Sequence, residues 1–291
     1  MSSHDAAAPG LVIAPPVVLP AGGGAAGRQL VVIMPGMGME GRYYRPIAEA
    51  LAAAGFPVAI GELRGQGRSP QFASRQNQWG YHHVAAEDFP QTIAEAKKAL
   101  SLADDYPTIL LTHSMGGQVG VLFMARPEAQ QLNVVGLLGV GAGNPWYKAF
   151  PWRDRLKYGL GIQMIWLASQ VLGYWPGDKV KLGGTWGRHP RTYLNEWARM
   201  NRSGKRGALA GADMDYIEAM GKVVAPVVLT RFGNDRDCTL ASAQALAEPV
   251  AGARVKELAG GLGHNKWARE PEIVVQRLIE FADGLEGRAG R

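Results

Sequence analysis

Apolar residues along this chain fall into short unbroken runs, separated by stretches in which they recur every three or four positions. The runs at 30–34, 56–60, 108–111, 132–140, 223–230 and 253–258 are rich in Val, Ile and Leu and too short for helices. They predict strands buried on both faces. Between them, Tyr44, Ile47, Ala48 and Leu51 share one helical face, with Pro46 in the first turn and Gly55 at the stop. Phe89, Ile93, Ala96 and Leu100 form a stripe across 84–102, and 240–247 and 273–281 carry the same period. Such alternation predicts an α/β chain built on a mostly parallel central sheet with helices on both faces.

The alternation stops between about Gly141 and Lys222. Six of the eight tryptophans fall there (Trp146, Trp152, Trp166, Trp175, Trp186, Trp197), beside Tyr147, Phe150, Tyr158, Tyr174 and Tyr193. More than half of these rings are expected to form a small core of their own. The division is therefore a core in two parts, 1–140 and 223–291, interrupted by a helical, aromatic-rich cap at 141–222. Following the strand that ends near Val140, the cap should emerge at the carboxyl end of the sheet, where ligands bind in such folds.

Chemistry enters with the run Thr112-His113-Ser114-Met115-Gly116-Gly117, where a strand meets a small-residue turn and a helix. A serine on that turn points its hydroxyl out of the sheet, and the helix start behind it offers free N–H groups to an oxyanion. Serine needs a base, and the base needs an orienting carboxylate. Asp235 follows the 223–230 strand and His264 follows the 253–258 strand. Asp237 is the alternative acid, two residues on. Taken singly, Ser114 could be a helix cap and His264 a hydrogen-bonded loop histidine. His82 and His83 are adjacent and lack metal-ligand spacing, so surface or capping roles are expected. His113 should belong to the packing of the turn, and Cys238 to structure.

Met34-Pro35-Gly36, Glu62-Leu63-Arg64-Gly65-Gln66-Gly67-Arg68-Ser69, His113-Ser114-Met115-Gly116-Gly117 and Gly263-His264 together resemble successive signatures of the α/β-hydrolase superfamily. The resemblance is to bacterial members of the serine aminopeptidase and monoglyceride lipase-like branch, and it includes Gly173-Tyr174-Trp175-Pro176 in the cap. It implies an α/β-hydrolase fold with Ser114 as nucleophile, His264 as general base and then acid, and Asp235 as the orienting carboxylate. It also implies an oxyanion hole made by the backbone N–H groups of Met37 and Met115. Three residues depart from the pattern: Pro35 stands where His is usual, Glu62 where Asp is usual, and Thr112 where Gly is usual.

Composition narrows the class. At 291 residues, with 47% hydrophobic and 19% charged residues, the chain reads as an ordinary globular protein. Its single cysteine excludes an internal disulfide and is compatible with a reducing, cytoplasmic setting. No secretory leader is expected, since the apolar run at 11–19 is broken by Pro15 and Pro16, and no transmembrane helix, since 160–172 is too short. The first ten residues and the tail after about Gly284 should fray.

Twelve Lys or Arg between Gly143 and Arg206 face three acids, so this segment carries +9 and the rest of the +6 chain carries −3. The charge reads as a solvated face or as guidance for an anionic substrate or surface, and no nucleic-acid motif accompanies it. The expected activity is hydrolysis of a carboxylic ester or related acyl bond in a small, largely apolar substrate, with no metal or organic cofactor. An acyltransferase or thioesterase with the same triad is the alternative, and a binding protein on the hydrolase scaffold is a third reading. The 160–172 run is read as cap core, homodimer contact or interfacial patch.

Overall fold

The computed structural model describes residues 13–22, 27–180 and 187–289, with side chains to 286. The first ten residues, Lys181 and Trp186 lie outside the described residues.

Seven strands form one sheet: β1 (Val17–Leu19), β2 (Leu30–Met34), β3 (Val58–Ile60), β4 (Thr108–His113), β5 (Val134–Val140), β8 (Val227–Phe232) and β9 (Arg254–Leu258). Their order is β1-β3-β2-β4-β5-β8-β9, with every pairing parallel except β1 against β3. The intervening β6 (Tyr174–Pro176) and β7 (Arg188–Pro190) pair separately and antiparallel. All six runs read from the sequence contain strands, β2 with the bounds read and β4 extended to His113. The run at 223–230 starts pairing only at Val227, and its strand runs on to Phe232.

Two apolar layers sandwich the sheet. One face carries α1 (Arg45–Ala53) and α10 (Glu272–Ala289), which cover Val31, Ile33, Leu111 and Leu138 with Tyr44, Ile47, Leu51, Trp267, Val274 and Leu278. On the other, α2 (Tyr81–His83) passes through a π turn into α3 (Phe89–Ala99), and both pack with α4 (Met115–Phe123) on Leu30, Val32, Leu110 and Leu137. Alternate residues of β2 point to opposite layers, which is why its run is continuously apolar. The short α5 (Pro127–Gln131) leads into β5, and α9 (Leu240–Ala247) joins β8 to β9. The chain end continues as helix past Gly284 to Ala289, not as the frayed tail expected.

Between β5 and β8 lie α6 (Trp152–Leu172), α7 (Arg191–Ser203), α8 (Tyr216–Met220) and the β6–β7 pair. The strand pair was not signalled by the sequence. Of eleven described Trp, Tyr and Phe rings here, only Phe150, Trp175, Tyr193 and Tyr216 are buried, so the insertion is not built around an aromatic core of its own. Its polar groups are instead anchored to the main body. Tyr193 stacks on Tyr81, with ring centroids 4.4 Å apart, and donates its hydroxyl to that of Tyr81 at 2.8 Å. The buried Glu196 carboxylate accepts the Tyr81 N–H, and Arg206 donates to the Gln118 carbonyl at 3.0 Å. Among the described residues, no helix is long and apolar enough to cross a membrane.

Candidate active site

Ser114 sits between the last residue of β4 and the first of α4, with φ 49° and ψ −115°. A side chain at positive φ costs about 1–3 kcal/mol and persists only where packing holds it. That packing is visible in the glycines. A β-carbon on Gly117 would come within 2.3 Å of the Ala142 β-carbon, so the helix can approach the end of β5 only without one. Thr112 is accommodated in the same way: its side chain lies in the space left open by Gly117, Gly120 and Gly139. The hydroxyl of Thr112 is buried and has no hydrogen-bond partner among the described residues.

His264 follows β9 and Asp235 follows β8, and the structure brings both to Ser114. His264 Nε2 lies 3.0 Å from Ser114 Oγ, and His264 Nδ1 lies 2.9 and 3.0 Å from the two carboxylate oxygens of Asp235. Asp235 is buried, and its Oδ1 also accepts the backbone N–H groups of Asp237 and Cys238, both at 2.9 Å. A carboxylate held by two N–H groups cannot rotate away from the imidazole. With Nδ1–H donating to Asp235, Nε2 is left as the acceptor for the serine proton. Asp237 does not touch the imidazole; it accepts the hydroxyl of Tyr158 on α6 at 2.6 Å.

Burial acts to lower the pKa of His264, but the hydrogen bond and charge of Asp235, with the charge of Asp237, outweigh it and raise the imidazole above its ordinary 6.5. His113 goes the other way. Burial and the neighbouring His264 hold it well below the ordinary value, so it is neutral. Its Nε2 lies 3.0 Å from the His264 carbonyl, which can only accept. Nε2 therefore carries the proton, and Nδ1 accepts from the Tyr44 hydroxyl at 2.6 Å. Tyr44 in turn accepts the Gly36 N–H at 3.0 Å, and Trp267 Nε1 donates to the same His264 carbonyl at 3.0 Å. One hydrogen-bonded chain thus links the Pro35-Gly36-Met37 loop to the backbone of His264. Sequence reasoning placed His113 in the packing of the turn but missed Tyr44 and Trp267, whose apolar spacing marks only a buried face.

The Gly36 loop lies directly against the serine. A β-carbon on Gly36 would sit 2.9 Å from His113 Nδ1 and 3.2 Å from Ser114 Cβ. Met37, the next residue, therefore follows the loop's closest approach to Ser114, and Met115 is the first residue of α4, where an N–H has no intrahelical acceptor. The Glu62 carboxylate takes the Gly41 N–H at 2.7 Å and Arg68 Nε at 3.2 Å, fixing the loop that follows β3. Arg64 is clamped by Asp88 and Glu87 and lies over the buried Trp79 ring.

Among the described residues, the only carboxylates and imidazole near enough to share a cation are Asp235, Asp237 and His264. Their atoms are already engaged with each other, with two N–H groups and with Tyr158. His83 Nδ1 accepts the Gly80 N–H at 3.2 Å, a capping role as expected, whereas His82 is buried against the Tyr216 hydroxyl, not on the surface. Cys238 is buried, and burial pushes its thiol up, away from reactivity.

Comparison with known proteins bears on the fold. Residues 25–166 match the family model described as serine aminopeptidase, S33. The protein named putative carbamate hydrolase RutD from Caulobacter segnis is 24% identical over 270 residues, covering 89% of this chain and 93% of its own. The α/β hydrolase GrgF from Penicillium sp. sh18 superposes with a TM-score of 0.58 at 15% identity, covering 92% of each chain. The esterase EaEST from Exiguobacterium antarcticum does so at 0.55 and 18%, covering 92% of this chain and 94% of that one. Sheet order, the strained serine turn and these likenesses lead to one conclusion: the chain has the α/β-hydrolase fold, and residues 25–166 of it match a hydrolase family model.

Proposed function

We propose that the protein is a serine hydrolase that cleaves a carboxylic ester or related acyl bond through an acyl-enzyme, with the 141–222 insertion as a cap over the site. The observation that carries this is the unbroken path from Asp235 through His264 to Ser114, with each link between 2.9 and 3.0 Å. Ser114 Oγ attacks the carbonyl carbon while its proton passes to His264 Nε2. The resulting oxyanion is met by the N–H groups of Met37 and Met115. The bond to the leaving group then breaks, His264 returns the proton to that group, and an acyl-serine remains. Water, deprotonated by His264, attacks the acyl carbon, and the serine regains its proton as the acid departs. A hole of this kind serves any acyl carbon. The name of the Caulobacter relative therefore places carbamates beside esters in the panel to be tested.

The first experiment is labelling with a fluorophosphonate, followed by p-nitrophenyl esters of increasing chain length and an aryl carbamate. Labelling of wild type and not of Ser114→Ala, with turnover of at least one acyl class, is expected. Wild type that neither labels nor turns over any member would overturn the proposal. Thioester and alcohol acceptors in the same panel separate hydrolysis from acyl transfer by their products.

A further inference from the structure

Helix α6 is apolar on two sides, and only one is covered. Ile162, Ile165 and Ser169 face inward and are buried. Trp152, Leu156, Leu160, Met164, Leu167 and Val171 are between 54% and 74% exposed. At 3.6 residues per turn these six fall within a sector of about 120°, on a helix about 30 Å long. A row of six such side chains exceeds the roughly 300–600 Å² that the largest apolar patch on a monomer usually reaches. This accounts for the 160–172 run that the sequence left open: Ile162, Ile165 and Ser169 are buried, and Leu160, Met164, Leu167 and Val171 belong to an exposed stripe.

The charges beside the stripe say what fits it. Arg153 lies within the same sector and Lys157 about 20° beyond its edge, both exposed, and among the described residues neither pairs with a carboxylate. Arg153 lies over the ring of Trp152, 5.3 Å from its centroid. The three acids of the 143–206 segment are all engaged. Asp154 pairs with Arg236, Asp178 pairs with Arg188, and the buried Glu196 accepts the Tyr81 and Ala210 N–H groups. The segment's unpaired charge is therefore positive. A second copy laid against this stripe would bring like charges together, whereas an anionic lipid surface complements both the apolar row and its basic margin.

We infer that α6 docks this protein on anionic phospholipid surfaces, its outer stripe lying at the headgroup level and Arg153 and Lys157 meeting lipid phosphates. The inner side of the same helix reaches the candidate site, because Tyr158 donates to Asp237 and to the Arg236 carbonyl in the loop that carries Asp235. The surface then lies about one helix diameter, roughly 10 Å, from that loop. Docking is separate from turnover, and Ser114→Ala should bind as wild type does.

The test is flotation with vesicles of phosphatidylcholine alone and with about 30% phosphatidylserine, each in low and raised salt. Wild type should float with the anionic vesicles, and raised salt should weaken that binding. Leu156→Ser with Leu160→Ser should reduce it at least tenfold, since each leucine loses most of its apolar transfer. Arg153→Ser with Lys157→Ser should cost about tenfold or more on anionic vesicles and little on neutral ones. All four positions are exposed, and unchanged thermal unfolding will confirm that both variants fold. Wild type that floats with neither vesicle, or binding indifferent to both double variants, would overturn the inference. So would a dimer in sedimentation velocity that the leucine variants abolish, because a second copy would then cover the stripe.

Discussion

Replacing Asp235 by Asn tests the assignment of the acid and, with it, the proposed chemistry. Oδ1 of Asp235 accepts two backbone N–H groups at 2.9 Å, whereas Oδ2 faces only the imidazole. An asparagine at 235 will keep its carbonyl oxygen on the two N–H groups, because the amide nitrogen cannot accept them. Its NH2 is then left against His264 Nδ1. That nitrogen must become an acceptor, which moves the ring proton to Nε2 and points an N–H at Ser114 Oγ. The base is lost without moving a backbone atom. A wrong tautomer of this kind costs about 10⁴ in kcat, or about 5.5 kcal/mol of barrier.

Asp237→Asn has no such consequence. Its amide can still accept the Tyr158 hydroxyl, and only one charge near His264 disappears, so kcat/KM should fall by less than about tenfold. The assay is ester hydrolysis at pH 8 together with the rate of fluorophosphonate labelling, which reads the nucleophile even where the best substrate is unknown. Thermal unfolding of Asp235→Asn should stay close to wild type. An Asp235→Asn enzyme retaining more than a tenth of wild-type kcat/KM, or a larger loss in Asp237→Asn, would refute the reasoning and move the acid to Asp237.

Activity should rise with pH through a single step whose midpoint lies above the ordinary histidine value of 6.5, since His264 must be neutral to act and the charges of Asp235 and Asp237 raise it. Stability should run oppositely: the contribution of protonated His264 is full below 6.5 and fades as pH climbs through the raised value, read as Tm against pH. Tyr44→Phe leaves the Gly36 N–H and His113 Nδ1 unpaired in a buried place and should cost about 2–4 kcal/mol in urea unfolding, with no change in fluorophosphonate chemistry per folded molecule. Gly117→Ala forces its new methyl onto Ala142 and should cost about 1–3 kcal/mol by the same measurement. Added salt should slow turnover of anionic esters more than neutral ones if the basic insertion guides substrate; equal responses would remove that idea.

The middle of the sheet was legible because its strands are buried on both faces and therefore largely apolar, as at β2 and β4, where every residue is buried. Its edges were not. β1 has only three residues, none buried, and it lies antiparallel on β3, a placement set by pairing and not by any pattern of its own. The candidate site was legible in part for a related reason: chain order and the residue types at strand ends picked out Ser114, Asp235 and His264, whose side chains lie within hydrogen-bond distance of one another. The Tyr44 to His113 link joins residues 69 positions apart through two side chains, and nothing local in either neighbourhood marks a hydroxyl aimed at an imidazole. The insertion was misread where most of its aromatic rings were expected to form a core of their own. Trp152 and Leu156 follow helical spacing and face outward, because a helix with two apolar sides can bury only the one that meets the body of the protein.

The same geometry explains why Thr112 is tolerated where glycine is usual. The turn requires close passage of α4 over the end of β4, and glycine at 112 is one way to provide the room. Here the room is provided from the other side, by Gly117 and Gly120 on the helix and Gly139 on β5, and the threonine side chain fills it. The chain has exchanged which partner is small while keeping the distance between them. Ser114 consequently holds the φ of 49° that aims its hydroxyl at His264, and the departure at 112 is a matter of packing alone. A restored glycine at 112 should therefore open a cavity without improving catalysis: Thr112→Gly should unfold at lower urea and keep its labelling rate. A faster-labelling Thr112→Gly would show instead that the threonine holds the turn away from its best geometry.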